Sequence, residues 1–151
     1  MKEKIFKYQD KEYSRDTKWG TFDGRKIPFR DLEDNHILNL YNFIGRRIKK
    51  AEEDIKNMDS GDNKIYKEEY YKELIRPLKV DKLKINEILF QLVLQEIEIR
   101  DLDTDLVKNE KSLPFRKDGK WWEWKIGARM PTPIPNSIVF MKGLDEEEDN
   151  K

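Results

Sequence analysis

Apolar side chains recur at alternating steps of four and three residues through the second quarter of the chain. The run begins close to Asp31 and Asp34, and either carboxylate can cap a helix by accepting from its free backbone N–H groups. This spacing predicts one long amphipathic helix with a heptad seam. The seam consists of Ile37, Tyr41, Ile44, Ile48, Ala51, Ile55 and Met58.

A heptad seam can pack on another helix of the same chain or on a second copy of the protein. Three heptads are marginal for an independent coiled coil, so we expect the seam to pack within the domain. The alternative is a homo-oligomer formed through the seam residues Ile37, Tyr41, Ile44, Ile48 and Ile55.

Two further helices are predicted after the turn-forming residues 58–64. The second covers 64–76 and is expected to end at Pro77, because the residue before a proline avoids the α conformation. The third covers about 81–107, although residues 97–100 can also be interpreted as a strand. The apolar side of the second helix contains Ile65, Tyr66, Tyr70 and Leu74, with Tyr71 as a further candidate. The apolar stripe of the third contains Leu83, Ile88, Leu89, Leu92, Val93 and Ile97.

Short strands are predicted at both ends of the chain. Asp23-Gly24 lies between two half-apolar runs, which is typical of a β-hairpin with a type I′ turn. Asp118-Gly119 is a second such turn, and residues 137–140 are predicted as a closing strand. The expected fold is therefore α+β, with about three helices and short antiparallel strands from the N- and C-terminal segments.

The chain is predicted to form a single domain over residues 1–142. This domain comprises a β-hairpin region (1–30), a helical region (31–110) and a basic, Trp- and Pro-rich β region (111–142), followed by an acidic disordered tail (143–151). Residues 31–110 carry 14 Lys/Arg and 19 Asp/Glu, whereas residues 111–142 carry 7 Lys/Arg and 2 Asp/Glu. We expect the basic regions to dock on the acidic helices of the same chain.

The composition and motifs exclude several kinds of chemistry. The 151 residues include no cysteine, so disulfides, thiolate catalysis and Cys-ligated metals are absent. Residues 101–112 begin like a calcium loop, but Leu106 and Ser112 occupy the positions that require Gly and Glu. No nucleotide-binding or hydrolase motif is present. We therefore predict no cofactor, no metal and no enzymatic activity.

The chain also shows no feature of membrane insertion. The N-terminal segment has no apolar leader, and no run approaches the roughly 20 apolar residues of a membrane span. This pattern predicts a cytoplasmic protein that does not interact with membranes.

The only histidine, His36, lies one helical turn before Asn39. The two could act as a general base and its orienting partner. A histidine without a partner nucleophile is weak support for catalysis, so we interpret them as a structural polar pair. We expect them to tie the 21–27 hairpin to the helix by hydrogen bonds, with Trp19 and Ile27 covering Ile37 and Tyr41.

The segment after Asp118-Gly119 combines indoles with cations. Alternation places Trp122 and Trp124 on one face of a strand and Trp121 on the other, so the three cannot all be buried against one layer. Such a surface can anchor a protein partner, or it can stack on bases and pair with phosphates. The alternative is that the indoles close a small core. The candidate binding residues are Trp121, Trp122, Trp124, Lys120, Lys125 and Arg129.

The segment from 19 to 47 resembles small, uncharacterised proteins of phages and prophages. These open with Trp, Thr and an Asp-Gly turn, followed by an acidic-hydrophobic pair and a His-Leu-x-Asn helix start. The matching residues here are Trp19, Thr21, Asp23, Gly24, Ile27, Asp31, Leu32, His36, Ile37 and Asn39, with Ile37 in place of the usual Leu. The resemblance implies a phage-encoded protein of the host cytoplasm that binds a host or defence-system protein. Nucleic acid or a nucleotide is the alternative ligand.

Overall fold

The computed structural model describes residues 3–61, 67–125 and 128–135. Two long helices form its centre. The helical elements are α1 (Asp34–Asp59), α2 (Glu68–Tyr70), a π-helical segment (Tyr71–Ile75) and α3 (Arg76–Arg100). Helix α1 packs along α3. With the short strands below, these elements confirm the predicted α+β fold.

The heptad seam of α1 forms the centre of the core. Ile37 and Ile44 are completely buried, and the ring of Tyr41 stacks on Phe90 of α3 with centroids 5.5 Å apart. The prediction that the seam packs within the domain is confirmed. The alternative, a homo-oligomer through the seam, stays a prediction. The buried cluster contains Tyr13, Phe29, Leu32, Ile37, Leu40, Ile44, Leu92 and Val93.

The predicted helix break at Pro77 is wrong. Arg76 has helical torsion angles (φ −59°, ψ −45°), and helix α3 continues from the π-helical segment without interruption. Pro77 lies directly after the π-helical segment, where the winding changes from π to α and the hydrogen-bond partners of successive residues shift. The proline is accommodated at this change of winding and does not end the helix.

The π-helical segment also changes which side chains of the second helix are buried. Tyr71 is 7% exposed, whereas Tyr70 and Leu74 are 48% and 54% exposed. The prediction that Tyr70 and Leu74 lie on the buried side is therefore wrong. A π turn holds more residues than an α turn, so it rotates the apolar stripe around the helix axis.

Helix α3 ends at Arg100. Residues 97–100 are therefore helical and not a strand, and the helix is seven residues shorter than the prediction, which extended it to residue 107. Asp101 adopts the left-handed conformation (φ 55°), and the N–H of Leu102 donates to the carbonyl of Ile97 at 2.9 Å. This arrangement satisfies free carbonyls and ends the helix. Residues Thr104–Glu110 follow as short 3-10 turns interrupted by non-helical torsion angles at 107–109, and they bury Val107.

Within the described part of the chain, the strands form three small antiparallel sheets. They are β1 (Phe6–Tyr8) with β2 (Lys11–Tyr13), β3 (Lys18–Gly20) with β4 (Lys26–Pro28), and β5 (Phe115–Lys117), β6 (Lys120–Glu123) and β7 (Thr132–Pro133) in that order. The predicted closing strand at 137–140 and the acidic tail at 143–151 lie outside the described residues.

The two predicted Asp-Gly hairpins have different turns. Asp118 and Gly119 both have positive φ (54° and 74°), as a two-residue type I′ turn requires. In the first hairpin only Gly24 has positive φ (84°), and the N–H of Thr21 donates to the carbonyl of Arg25. The type I′ prediction is wrong there, because three residues form the loop and only the last is left-handed.

Trp19 and Ile27 face each other across the first hairpin and pack against the core cluster that contains Ile37. Trp19 makes edge contacts with Phe29 and Phe43, each with centroids 6.2 Å apart. Among the described residues, no helix has the length and apolar composition needed to cross a membrane.

Candidate functional site

Asparagine side chains of α1 anchor the segment that leads into the C-terminal sheet β5–β7. The Asn39 Nδ2 donates to the carbonyl of Leu113 at 2.8 Å, and its Oδ1 accepts from the N–H of Leu113 at 2.7 Å. The side-chain amide of Asn39 thus donates to and accepts from the backbone of the same residue, as a neighbouring strand does in an antiparallel sheet. Asn39 ties α1 to this segment, so the prediction that it holds the first hairpin is wrong.

Two further asparagines repeat this contact along the helix. The Nδ2 of Asn35 donates to the carbonyl of Pro114 at 2.6 Å, and the Nδ2 of Asn42 donates to the carbonyl of Val107 at 2.9 Å. Residues 35, 39 and 42 lie on one face of the helix because they are three or four positions apart. Helix α1 therefore fixes where the chain enters strand β5.

His36 does not participate in this ladder. It is half-buried and makes no hydrogen bond within the described part of the chain. Burial, with a smaller contribution from the charge of Arg25, lowers the pKa of His36 to about 4. The predicted tie between His36 and the hairpin is therefore wrong, and the ring is held neutral at pH 7.

Phe22, at the tip of the β3–β4 hairpin, is the centre of an aromatic cluster on the C-terminal sheet. Its ring lies 6.2 Å from Phe115, 6.4 Å from Trp122 and 5.6 Å from Trp124 between centroids. These separations are in the range of stabilising edge and tilted contacts. The N-terminal hairpin thus docks on the sheet at the opposite end of the sequence.

Lys117 adds a cation to this aromatic cluster. Its ammonium lies 4.8 Å from the ring centre of Phe22, 5.7 Å from that of Trp122 and 3.4 Å from a carboxylate oxygen of Asp23. A hydrogen bond from Thr21, together with Lys117 and Arg25, holds the pKa of Asp23 well below its usual range. The hairpin tip and the sheet are therefore joined by charge as well as by ring contacts.

The opposite face of the sheet carries Trp121. The guanidinium of Arg116, its partner across the strands, lies 5.7 Å from the indole centre. The carbonyl of Trp121 accepts from the N–H of Ile134 at 2.8 Å, which joins the chain after β7 to β6. Trp121 is half-buried, and its Nε1 is enclosed without a hydrogen-bond partner among the described residues.

Of the six predicted binding residues, Lys120, Trp121 and Trp122 lie in strand β6, Trp124 and Lys125 follow that strand, and Arg129 lies in the connection to β7. Trp122 and Trp124 lie with the aromatic cluster, and Trp121 lies on the other face, as the alternation predicts. All three indoles are half-buried. The remaining three candidates, Lys120, Lys125 and Arg129, are exposed and make no ion pair with the residues that the structure describes.

Sequence reasoning missed a buried ion cluster between the N-terminal region and α3. The side chain of Glu96 is completely buried, and its carboxylate oxygens lie 2.5 Å from Nε of Arg15 and 2.9 Å from Nη2 of Arg100. Arg100 also donates to the carbonyls of Phe29 and Leu32 at 2.9 and 2.5 Å. The sequence signal was a carboxylate inside the apolar stripe of α3.

The described residues 3–61, 67–125 and 128–135 contain no group of His, Asp or Glu side chains that could hold a metal ion. Their distinctive chemistry is the cationic, indole-bearing sheet. Comparison of the chain with protein-family models, curated proteins and solved structures finds no match. The likeness to phage proteins over 19–47 therefore stays a prediction.

Proposed function

We propose that this chain is a non-enzymatic binding protein, encoded by a phage, that engages a host or defence-system protein through the C-terminal sheet. The observation that carries the proposal is that Lys120, Lys125 and Arg129 are exposed, make no ion pair among the residues that the structure describes, and are close in sequence to three half-buried indoles. Partly exposed indoles suit anchors at the centre of an interface, and rim cations accelerate encounter with an acidic surface. The favoured partner is therefore an acidic face of a protein.

The arrangement of the indoles favours a protein over nucleic acid. Stacking platforms for bases need open ring faces. Here Trp122 and Trp124 contact Phe22, and the guanidinium of Arg116 lies over Trp121. A protein partner can use the remaining indole edges and N–H groups, whereas successive bases would need the faces. The exposed cations alone support the second candidate, binding of nucleic acid or a nucleotide.

Reversing the three rim charges is expected to abolish capture of the partner. We propose Lys120→Glu/Lys125→Glu/Arg129→Glu as the test variant, because a surface that attracts an acidic partner then repels it. The tagged wild-type chain and the variant are compared in pull-downs from bacterial host lysate, with bound proteins quantified by mass spectrometry.

A second triple reversal provides a matched control. Lys49, Lys56 and Lys82 are exposed on α1 and α3, and their reversal changes the net charge by the same amount. The proposal requires a protein that both the wild type and this control retain and that the rim variant loses. Equal recovery by all three chains would contradict it. Oligonucleotide binding that falls steeply with salt and quenches Trp fluorescence would favour the alternative.

A further inference from the structure

The cations of the C-terminal sheet have no acidic partner in the part of the chain that the structure describes, and the sequence supplies acidic residues shortly afterwards. Lys120, Lys125 and Arg129, called the cationic surface below, are exposed and make no ion pair with the described residues. Residues 145–149, called the acidic segment below, are five consecutive Asp or Glu residues. The cationic surface and the acidic segment therefore have complementary charges.

The pairing of β7 with β6 returns the chain to this surface at the end of the described residues. The two strands are antiparallel, and the N–H of Ile134 donates to the carbonyl of Trp121 at 2.8 Å. The same register places Pro135 beside Lys120, one strand spacing of about 4.8 Å away. Ile134 is only 5% exposed, so the chain is fixed to the sheet at the point from which it continues toward the acidic segment.

The other two cations lie together at the far end of β6. The N–H of Ala128 donates to the carbonyl of Lys125 at 3.0 Å, and the carbonyl of Ala128 accepts from Nε1 of Trp124 at 2.8 Å. A tight turn thus begins at Lys125 and ends directly before Arg129. The cationic surface therefore has charge at both ends of strand β6.

The connection from the sheet to the acidic segment is short. Ten residue steps separate Pro135 from Asp145, so the connection keeps Asp145 within about 36 Å of the sheet in any conformation. A short tether of this kind gives an effective concentration on the order of 1 mM. Extended chain covers about 17 Å from Lys120 to Lys125 and about 13 Å along the acidic segment, so the two have similar lengths.

We propose that the acidic segment lies on the cationic surface of its own chain and competes there with the acidic partner. The competition rests on the proposed function, whereas the docking of the segment does not. At an effective concentration of about 1 mM, a segment with an intrinsic dissociation constant of about 0.1–1 mM occupies the surface for half to nine-tenths of the time. The apparent affinity for a partner then falls about 2- to 10-fold, which favours partners with a strongly acidic face.

Zero-length cross-linking tests the docking without any partner. A carbodiimide joins a carboxylate to a lysine amine in direct contact, and mass spectrometry of tryptic peptides identifies the joined residues. We expect Lys120 and Lys125 to be joined to the acidic segment, with a yield that falls as salt is raised from about 0.05 to about 0.5 M. The internal controls are exposed lysines of the two long helices, Lys49, Lys56 and Lys82.

Mixing unlabelled and isotopically labelled chains before the reaction shows whether the joined residues belong to one chain. The proposal requires cross-links within one chain. Equal cross-linking at the control lysines would overturn it, as would cross-links that form only between chains.

A variant without the five negative charges provides the second measurement. Its substitutions are Asp145→Asn, Glu146→Gln, Glu147→Gln, Glu148→Gln and Asp149→Asn. A labelled synthetic peptide with the sequence of residues 143–151 is added, and its binding is followed by fluorescence anisotropy. The variant is expected to bind this peptide about 2- to 10-fold more tightly than the wild type, because its cationic surface is vacant. Adding Lys120→Glu/Lys125→Glu/Arg129→Glu to the variant is expected to abolish the binding.

A matched control removes five exposed negative charges elsewhere and is expected to bind the peptide as the wild type does. Its substitutions are Glu52→Gln, Glu53→Gln, Glu69→Gln, Glu98→Gln and Glu110→Gln. Equal peptide binding by the wild type, the control and the variant without the acidic segment's charges would contradict the proposal.

The pull-down experiment separates this inference from the proposed function. Cross-links between the acidic segment and the cationic surface, in a chain that captures no protein, would contradict the proposed function and support the docking. Equal capture of one protein by the wild type and the variant without the acidic segment's charges, with no cross-link to Lys120 or Lys125, would contradict the docking and leave the proposed function standing.

Discussion

Replacing Glu96 with alanine is expected to lower the free energy of unfolding by about 3–5 kcal/mol. The Glu96 side chain is fully buried between Arg15 and Arg100, whose side chains are 17% and 15% exposed. Removing the carboxylate leaves two largely buried guanidinium groups facing each other. Arg15 keeps its ion pair with Glu3 at 2.7 Å and Arg100 its pair with Asp34 at 3.0 Å, but these carboxylates are 51% and 62% exposed and compensate the two charges only in part.

Urea unfolding followed by circular dichroism measures this change. Glu98→Ala is the matched control, because Glu98 is exposed two residues further along the same helix. We expect the control to change the free energy of unfolding by less than about 0.5 kcal/mol. A cost below about 1 kcal/mol for Glu96→Ala would mean that the ion cluster does not hold the N-terminal region on α3.

Lowering the pH from 7 to 4 is expected to remove up to about 3 kcal/mol of stability through His36 alone. The pKa of His36 in the folded chain is about 4, because burial and the charge of Arg25 disfavour the imidazolium. In the unfolded chain the pKa is about 6.5. Between these values the unfolded chain binds the additional proton, so stability is complete above about pH 6.5 and falls as the pH approaches 4.

Unfolding by urea at pH 7 and pH 4.5 tests this expectation in the wild type and in His36→Gln. The carboxylates titrate equally in both chains, so the difference between their pH dependences isolates His36. The wild type is expected to lose more stability than the variant. Identical losses would show that the imidazole titrates as if it were in water.

The local periodicity of α1 was sufficient to predict its position and its packing. Ile37 and Ile44 follow the heptad spacing, and both are buried against α3. The alternation of the C-terminal indoles likewise predicted that Trp122 and Trp124 share a face. These features depend on residues a few positions apart, where the geometry of helices and strands leaves little choice.

The register of the second helix was not predictable in this way. Tyr70 and Tyr71 are adjacent, and an α-helical pattern can bury either one. The π turn places Tyr71 on the buried side of the helix, where its hydroxyl donates to Asp59 of α1 at 2.9 Å. A single extra residue in one turn exchanges the buried and exposed sides of the helix, and no local sequence pattern indicates such a residue.

The contacts that assemble the candidate site join residues far apart in the sequence. Asn39 was expected to bind the hairpin before it but binds Leu113 instead. Phe22 had no predicted role, yet it contacts Trp122 and Trp124 across most of the chain. A single sequence gives the chemistry of such side chains but not which distant carbonyl or ring they meet.

Footprinting by indole oxidation tests the central claim, that the C-terminal sheet is the surface that binds a partner. The partner recovered by pull-down is added to the chain, and the oxidation rate of each tryptophan is measured by mass spectrometry. Trp121 and Trp124 are expected to be protected, while Trp19, half-buried against Phe29 and Phe43, serves as the internal control. Protection of Trp19 with no change at Trp121 and Trp124 would contradict the account.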